Sequence, residues 1–428
     1  MINRNVPPAI YDAVSFDIAL QSCNVHHCDN NIPIYWLSAG AQEVTELTLV
    51  FEAGIWHEPQ TGVAQAVAAL LKSGTPGKTA FELSEAIEYY GASLKVSANN
   101  DWAFVSLLCL TKHLPALLPT LREIILEATF PEAELDIYKQ NALQRLAVNL
   151  RQSDFVANRN IDAMLFGKAH PYGRYTEPAD VEALNVGLLR KFHNERYSAQ
   201  NCKIFVAGNF SEADMLGIAQ TFGTDNWHLS SETPHKEAAN LEPAAQKLLQ
   251  LSNDPNGVQG AIRIARPVPM RQDPVFPELF VMNTVFGGYF GSRLMANIRE
   301  DKGYTYGIYS SLFSYRHAAV MLIGTEAGKE VCEQTVAEVI KEMRLMQQTL
   351  VPEDELMLVK NYLLGSIIAD LDGPFSIMQR WKNLILNQQS IEDFYRNINV
   401  YKNISAERIQ ELAQAYLREE DFYQLVVI

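Results

Sequence analysis

Residues 51–75 read FEAGIWHEPQTGVAQAVAALLKSGT, and this stretch decides the fold. It opens as the tail of a β-rich run, ELTLVFEAG (46–54), itself preceded by another, IPIYWLSA (32–39). It then turns helical: in VAQAVAALLKS the apolar residues Val63, Ala66, Val67, Leu70 and Leu71 recur at the spacing of one helix face. Gly54 and Gly62 punctuate the approach to this helix, and Gly74 follows it.

The frame Phe51, Gly54, Glu58, Gly62, Gly74, Thr75 resembles the start of the M16 (pitrilysin/insulinase) metallopeptidase family. In that family the helix after the middle glycine carries an inverted zinc motif, His-x-x-Glu-His. Two histidines four residues apart share a helix face, and the glutamate between them serves as general base. The matching positions here are Gln65, Ala68 and Ala69. Alanine has no lone pair to give, and an amide is a poor ligand for zinc, which takes imidazole, thiolate or carboxylate. The family's third ligand, a glutamate, falls near residues 144–146, within YKQNALQRLAVNLRQ, and no glutamate occurs between Glu134 and Glu177. The resemblance therefore implies the family scaffold with its metal site deleted, and no cofactor in this chain.

The rest of the chain extends the resemblance. AFELSEAIEYYGA (80–92) reads as a helix with Gly91 as its C-cap, and residues 93–110 read as a hairpin. Residues 113–128 are amphipathic, and the stretch from about 132 to 166 is helical with a break near Ser153. KIFVAGNF (203–210) reads as a buried closing strand. IEYYGASL followed by Asp101, and HPYG (170–173) ahead of the segment ending in KIFVAGNF, match family segments in order and spacing. Residues 222–245 are polar and proline-bearing, which suits a linker. After them the element order repeats: strands at 247–252 and 257–266, a helix at 275–286, strands at 304–315 and 318–326, then helices at 328–349, 352–371 and 374–387 and a final LVVI. The expected architecture is α+β, two tandem α/β rolls as in M16 proteins. The first roll spans 1–225, the linker 226–246 and the second roll 247–428.

The second roll keeps a constellation of its own. SRLMANIREDKGYTYGI (292–308) contains Arg299 and, seven residues on, Tyr306. Arg299 is expected to end a helix and Tyr306 to lie on the next strand, with Gly303 making the turn. The resemblance implies that this Arg/Tyr pair grips the substrate carbonyl beside the scissile bond. Both side chains donate hydrogen bonds, which suits a developing oxyanion. A structural role also fits, since an arginine in a last helical turn favours the helix dipole. FGGYFGSR (286–293) precedes the pair, and Gly287, Gly288 and Gly291 resemble a short version of the glycine-rich substrate loop of non-catalytic M16 subunits. A plain helix-entry turn fits equally. No GK[ST] follows, which argues against a phosphate-binding loop.

Other candidates carry less. CNVHHCD (23–29) places two cysteines and two histidines within six residues, tighter than the usual zinc knuckles, and a strand edge or loop explains it better. Glu58 matches a family position outside the metal site and reads as structural. His113, His170 and His193 read as satisfied polar residues. The net charge of −15 argues against a nucleic-acid or anionic-membrane surface. No apolar run reaches the length of a membrane span. Five scattered cysteines and the absence of a secretory signal suit the cytoplasm.

Together these features imply the non-metal subunit of a heterodimeric M16B-type peptidase. It would bind peptide substrates while a homologous subunit with the intact motif supplies zinc. The alternatives are a catalytically inactive scaffold or assembly protein, pairing with itself as a homodimer, and a peptidase using some other metal site.

Overall fold

The structure is a computed structural model and describes residues 12–225, 227–228, 241–254 and 256–428. Most of the expected linker lies outside the described residues. The first half builds a six-stranded sheet in the order β1-β2-β6-β3-β5-β4. Its strands are β1 (Asn24–His27), β2 (Pro33–Ser38), β3 (Val44–Phe51), β4 (Ser93–Ala98), β5 (Ala103–Leu110) and β6 (Cys202–Gly208). The intervening helices are α1 (Val63–Leu70), α2 (Ala80–Glu88), α3 (Leu114–Leu126), α4 (Glu132–Asn149), α5 (Ser153–Phe166), α6 (Pro178–Ala183) and α7 (Val186–Arg196), and α8 (Glu212–Phe222) follows β6. All pairings are antiparallel except β2 with β6.

The second half builds a five-stranded sheet in the order β7-β11-β8-β10-β9. The strands are β7 (Leu248–Leu251), β8 (Gln259–Val268), β9 (Thr305–Ser314), β10 (Ala319–Gly328) and β11 (Tyr423–Val427). The helices are α9 (Phe276–Asn283), α10 (Cys332–Gln348), α11 (Glu353–Ala369), α12 (Pro374–Leu386), α13 (Ile391–Asn403) and α14 (Ala406–Tyr416). Two tandem α/β units result, as the repeated element order implied. The sequence reading did not place α13 and α14. α9 continues as a wide π-helical turn over Thr284–Gly288, and a second such turn spans Met295–Asp301.

Strand alternation decides what each sheet face buries. In β3, Leu47, Leu49 and Phe51 face a core shared with α1, α3, α7 and α8, while Val50 faces the opposite side. There it meets Ile377, Met378 and Leu384 of α12, a helix from the second half. The second sheet mirrors this. Ile262 and Ile264 pack with α9, α10 and α14, whereas Ala261 and Ala265 meet Ala157, Ile161 and Leu165 of α5, from the first half. Each half therefore lends one helix to the other half's sheet. Phe51 shows the weight of such packing: it is fully buried, its ring 4.9 Å from Tyr197 and 6.1 Å from Trp227. Truncating a core aromatic of this kind costs about 3–5 kcal/mol.

Gly54 is glycine for a steric reason. A Cβ there would sit 2.4 Å from the backbone carbon of Asp101, where two chain segments pass in contact. Asp101 then ties the halves together, accepting from the Tyr172 hydroxyl and from the backbone N–H of Arg316. Arg316 in turn pairs with Glu52 at 2.7 Å. The CNVHHCD segment forms β1, the edge strand of the first sheet.

Candidate functional site

α1 is held at its start by one carboxylate. Glu58 is 1% exposed and accepts from the N–H groups of Gly62 (3.2 Å) and Ala64 (2.9 Å). Arg174 pairs with the same carboxylate at 3.2 Å and also donates to the Ile55 carbonyl. A carboxylate at a helix N-terminus satisfies orphan amides and opposes the helix dipole. Gly62 starts the helix in the left-handed region, φ +91°. The reading of Glu58 as structural holds.

From this anchor α1 buries Val63, Ala64, Ala66, Val67 and Ala68 and turns Gln65 and Ala69 outward. Gln65 and Ala69 line a cavity of about 590 Å³. α4 supplies its second wall through Tyr138, Ala142, Arg145 and Asn149, residues spaced to share one helix face. α5 supplies Asn158, Arg159 and Asp162. This cavity lies where the family resemblance puts zinc, and its donor set does not fit the metal. It offers a methyl group, an amide and a guanidinium where imidazoles and a carboxylate would be needed. Glu58 is turned to α1 and Arg174. Burial pushes the Asp162 carboxyl up to about 7. Among the described residues no group of three or more His, Cys, Asp or Glu side chains is placed to hold a metal ion.

Arg299 and Tyr306 lie on successive elements of the second unit. Arg299 sits in the wide turn Met295–Asp301, Gly303 reverses the chain with φ +65°, and Tyr306 is the second residue of β9. The Arg299 guanidinium lies 5.6 Å from the Tyr306 ring centre and 4.6 Å from that of Phe290. Tyr306 is 92% exposed on an edge strand, with Tyr309 and Phe313 also exposed along it. Tyr306, Gly287 and Gly288 line one cavity of about 630 Å³, together with Phe290 and Glu326. Gly287 also has a packing reason, since a Cβ there would meet Ser310 at 2.7 Å. Gly291 is exposed, beneath the Tyr289 ring.

A buried arginine joins the two cavities. Arg263 Nε donates to Asn158 Oδ1 at 2.7 Å, and its Nη2 donates to Glu326 Oε1 at 2.8 Å. Asn158 borders the first cavity and Glu326 the second. Sequence reasoning missed Tyr138, Arg145, Asp162 and Arg263. The spacing of Tyr138, Ala142, Arg145 and Asn149 was the available signal for the first two.

His170 and His193 have hydrogen-bond partners, and His113 has a ring contact. His193 Nε2 contacts the Ile125 carbonyl at 2.8 Å, and burial lowers its pKa to about 4. His170 Nδ1 accepts from the Tyr172 N–H. His113 lies 5.1 Å from the Tyr90 ring. The cysteines are unbridged, and no described helix is long and apolar enough to cross a membrane.

Comparison with known proteins agrees with this geometry. Residues 37–174 match the family described as insulinase (peptidase family M16), and residues 183–363 match the M16 inactive domain. A Bacillus subtilis protein named an uncharacterized zinc protease, YmxG, is 24% identical over 390 residues, covering 88% of this chain and 92% of its own length. An uncharacterized zinc protease of Mycobacterium tuberculosis is 22% identical over 398 residues, covering 89% of this chain and 90% of its own. A Pseudomonas fluorescens structure described as a peptidase M16 inactive domain superposes with a TM-score of 0.82 at 21% identity, covering 95% of this chain and 98% of that one. A protease from Helicobacter pylori gives 0.85 at 13%, covering 96% and 100%. Two adjoining M16 matches span most of a chain with the two-unit M16 fold: the protein belongs to the M16 peptidase family, its second match being to that family's inactive domain.

Proposed function

We propose that this chain is the non-metal subunit of a two-chain M16 peptidase. One observation supports the reading: Arg299 and Tyr306 lie together at an exposed strand edge beside a cavity, while no group of three or more His, Cys, Asp or Glu side chains among the described residues is placed to hold a metal. A peptide adds to the free edge of β9, where main-chain hydrogen bonds give affinity and side-chain pockets give selectivity. Arg299 and Tyr306 donate to the carbonyl beside the scissile bond and stabilise the charge that develops on its oxygen. Gly287 and Gly288 let substrate backbone approach closely. A homologous partner with an intact His-x-x-Glu-His motif supplies the metal. In this reading residues 1–225 are the degenerate metal half, 226–246 the linker and 247–428 the Arg/Tyr half, and the pair of chains works in the cytoplasm.

A second reading is a scaffold without catalytic duty. The stacking of Arg299 on Phe290 favours it, because one face of the guanidinium is then occupied. Reconstitution separates the two. The purified chain is expected to carry no stoichiometric zinc and to cleave no peptide. Mixing with a partner bearing the intact motif is expected to produce cleavage, which Arg299→Ala lowers by about 10²–10³-fold, as for loss of one oxyanion donor. Cleavage unchanged by Arg299→Ala, or none with any such partner, removes the subunit reading. A zinc-loaded, active single chain removes both.

A further inference from the structure

We propose that the cavity between α1, α4 and α5 receives the carboxylate of a bound peptide where the family's peptidases hold zinc. That its ligand is a peptide rests on the reading above. The charge and the hydrogen-bonding character of the cavity stand on their own.

The polarity of this cavity is inverted relative to a metal site. A metal takes lone pairs, whereas this cavity presents N–H and O–H groups. Arg145 makes no hydrogen bond or ion pair among the described residues, yet it lines the cavity. The other two arginines are committed. Arg159 donates to Glu177 at 3.0 Å and stacks on Tyr175 at 3.8 Å, and Arg174 is bound to Glu58. Tyr138 stands two helical turns before Arg145 on the same face of α4, and its hydroxyl has no hydrogen-bond partner among the described residues. Asn158 has its amide orientation forced. Its oxygen accepts from Arg263, and a guanidinium only donates, so the NH2 group is the one left to a ligand. Gln65 adds another amide from α1.

The two carboxyl groups of the lining are accounted for. Glu58 is consumed by the α1 amides and Arg174. Burial pushes the Asp162 carboxyl up to about 7, which favours the protonated form that donates an O–H. An acceptor-only group that fits a guanidinium fork is a carboxylate. The cavity of about 590 Å³ is much larger than that group and lies in the range of ligand pockets. Its apolar walls, Ile55, Leu146, Phe155 and Leu184, suit the residues on either side of the carboxylate. With a net charge of −15 the chain as a whole repels anions, so capture depends on the local cation.

The test uses the isolated chain and ligand-observed NMR titration with three acetylated alanine hexapeptides. One is amidated with a central glutamate, one has a free C-terminus, and one is amidated with no carboxylate. At least one acid peptide is expected to bind about tenfold or more tightly than the carboxylate-free control, and which one binds tells a side-chain carboxylate from a C-terminal one. Arg145→Ala is expected to remove that preference, as loss of a charge-assisted hydrogen bond predicts about ten- to hundredfold. Arg145→Lys should retain part of it. Arg145 is exposed, so these variants keep the packed core; Tyr138→Phe, expected to weaken binding severalfold, probes the same cavity without changing charge. Equal binding of acid and amide peptides, or a preference that survives Arg145→Ala, overturns the proposal. No partner or metal enters the measurement. A failed reconstitution therefore leaves this site standing, and a negative titration leaves the subunit reading standing.

Discussion

Replacing Glu58 removes the group that fixes the start of α1, and the structure sets the size of the effect. The carboxylate is 1% exposed and accepts from Gly62 and Ala64, while the Arg174 side chain facing it is 15% exposed. Breaking a buried pair by deleting one partner costs about 3–5 kcal/mol, chiefly because the other charge is left uncompensated. Losing a helix cap costs about 1 kcal/mol, and it overlaps with the first figure because one carboxylate does both. Arg174 keeps its bonds to the Ile55 and Glu58 carbonyls, which soften the loss. Glu58→Ala is therefore expected at the lower end, about 3 kcal/mol. Glu58→Gln keeps the shape and one acceptor and should cost about 1–2 kcal/mol. The assay is urea unfolding followed by tryptophan fluorescence, with hydrogen exchange at the Ala64 amide as the local readout. Adding Arg174→Met to Glu58→Ala should recover about 1 kcal/mol or more of the summed single costs, because the stranded charge is then gone. A Glu58→Ala cost below about 0.5 kcal/mol, or a double variant that costs the full sum, would refute the assignment of Glu58 to this anchor.

Two further outcomes follow from the same structure. Burial disfavours the charged form of His193 and lowers its pKa to about 4 from the ordinary 6.5. Between those values the unfolded chain binds a proton that the folded chain refuses, so stability falls as pH drops through this window. The loss reaches about 3 kcal/mol at most. His193→Gln should flatten the pH dependence of urea midpoints between pH 6.5 and 4 relative to the parent, and an unchanged slope contradicts the burial argument. The second outcome concerns the metal. Gln65→His with Ala69→His places two imidazoles on the outward face of α1, but the Arg145 cation remains in the same cavity. Adding Arg145→Glu should tighten zinc binding by about tenfold or more, read by competition with a chromophoric chelator. Affinity indifferent to residue 145 would mean that its side chain does not reach the cavity centre.

The parts of this fold that were legible in the sequence were those with strong local signals. Val63 to Leu71 showed one helix face, residues 93–110 alternated, and Gly91 and Gly303 marked turns that take positive φ. What the sequence hid depends on contacts between distant segments. The exchange of α5 and α12 between sheets leaves no local trace, because Ala157 or Ile377 reads as an ordinary apolar residue wherever it packs. α13 and α14 follow a run of three helices and carry Ser caps at Ser390 and Ser405, a signal that was present and not used. The π-helical turns at Thr284–Gly288 and Met295–Asp301 have no local sequence signal of their own. At the site, Gln65, Ala69, Arg299 and Tyr306 were found through the family frame. Residues 144–146 were read only as lacking the family's glutamate, and Arg145 was not singled out, because its place on the cavity wall shows only when α4 is seen against α1.

The same geometry explains how a metal site can vanish without unravelling its scaffold. In α1 the buried face, Val63, Ala64, Ala66 and Val67, is fully enclosed, and the N-terminus is held by Glu58 and Arg174. Neither support uses the outward positions 65 and 69, so losing ligands there leaves the packing intact. The order of the helix comes from its core face and its cap, which makes the outward face free to change its chemistry. A cavity whose walls are already fixed needs only its donors exchanged. The Arg145 guanidinium lines this cavity with a positive charge and an attraction for acceptor oxygens. It cannot lower the pKa of a bound water as zinc does. On the proposals above, binding and hydrolysis fall to different chains, and the geometry that supports them is a cavity linked through Arg263 to the pocket beside Tyr306.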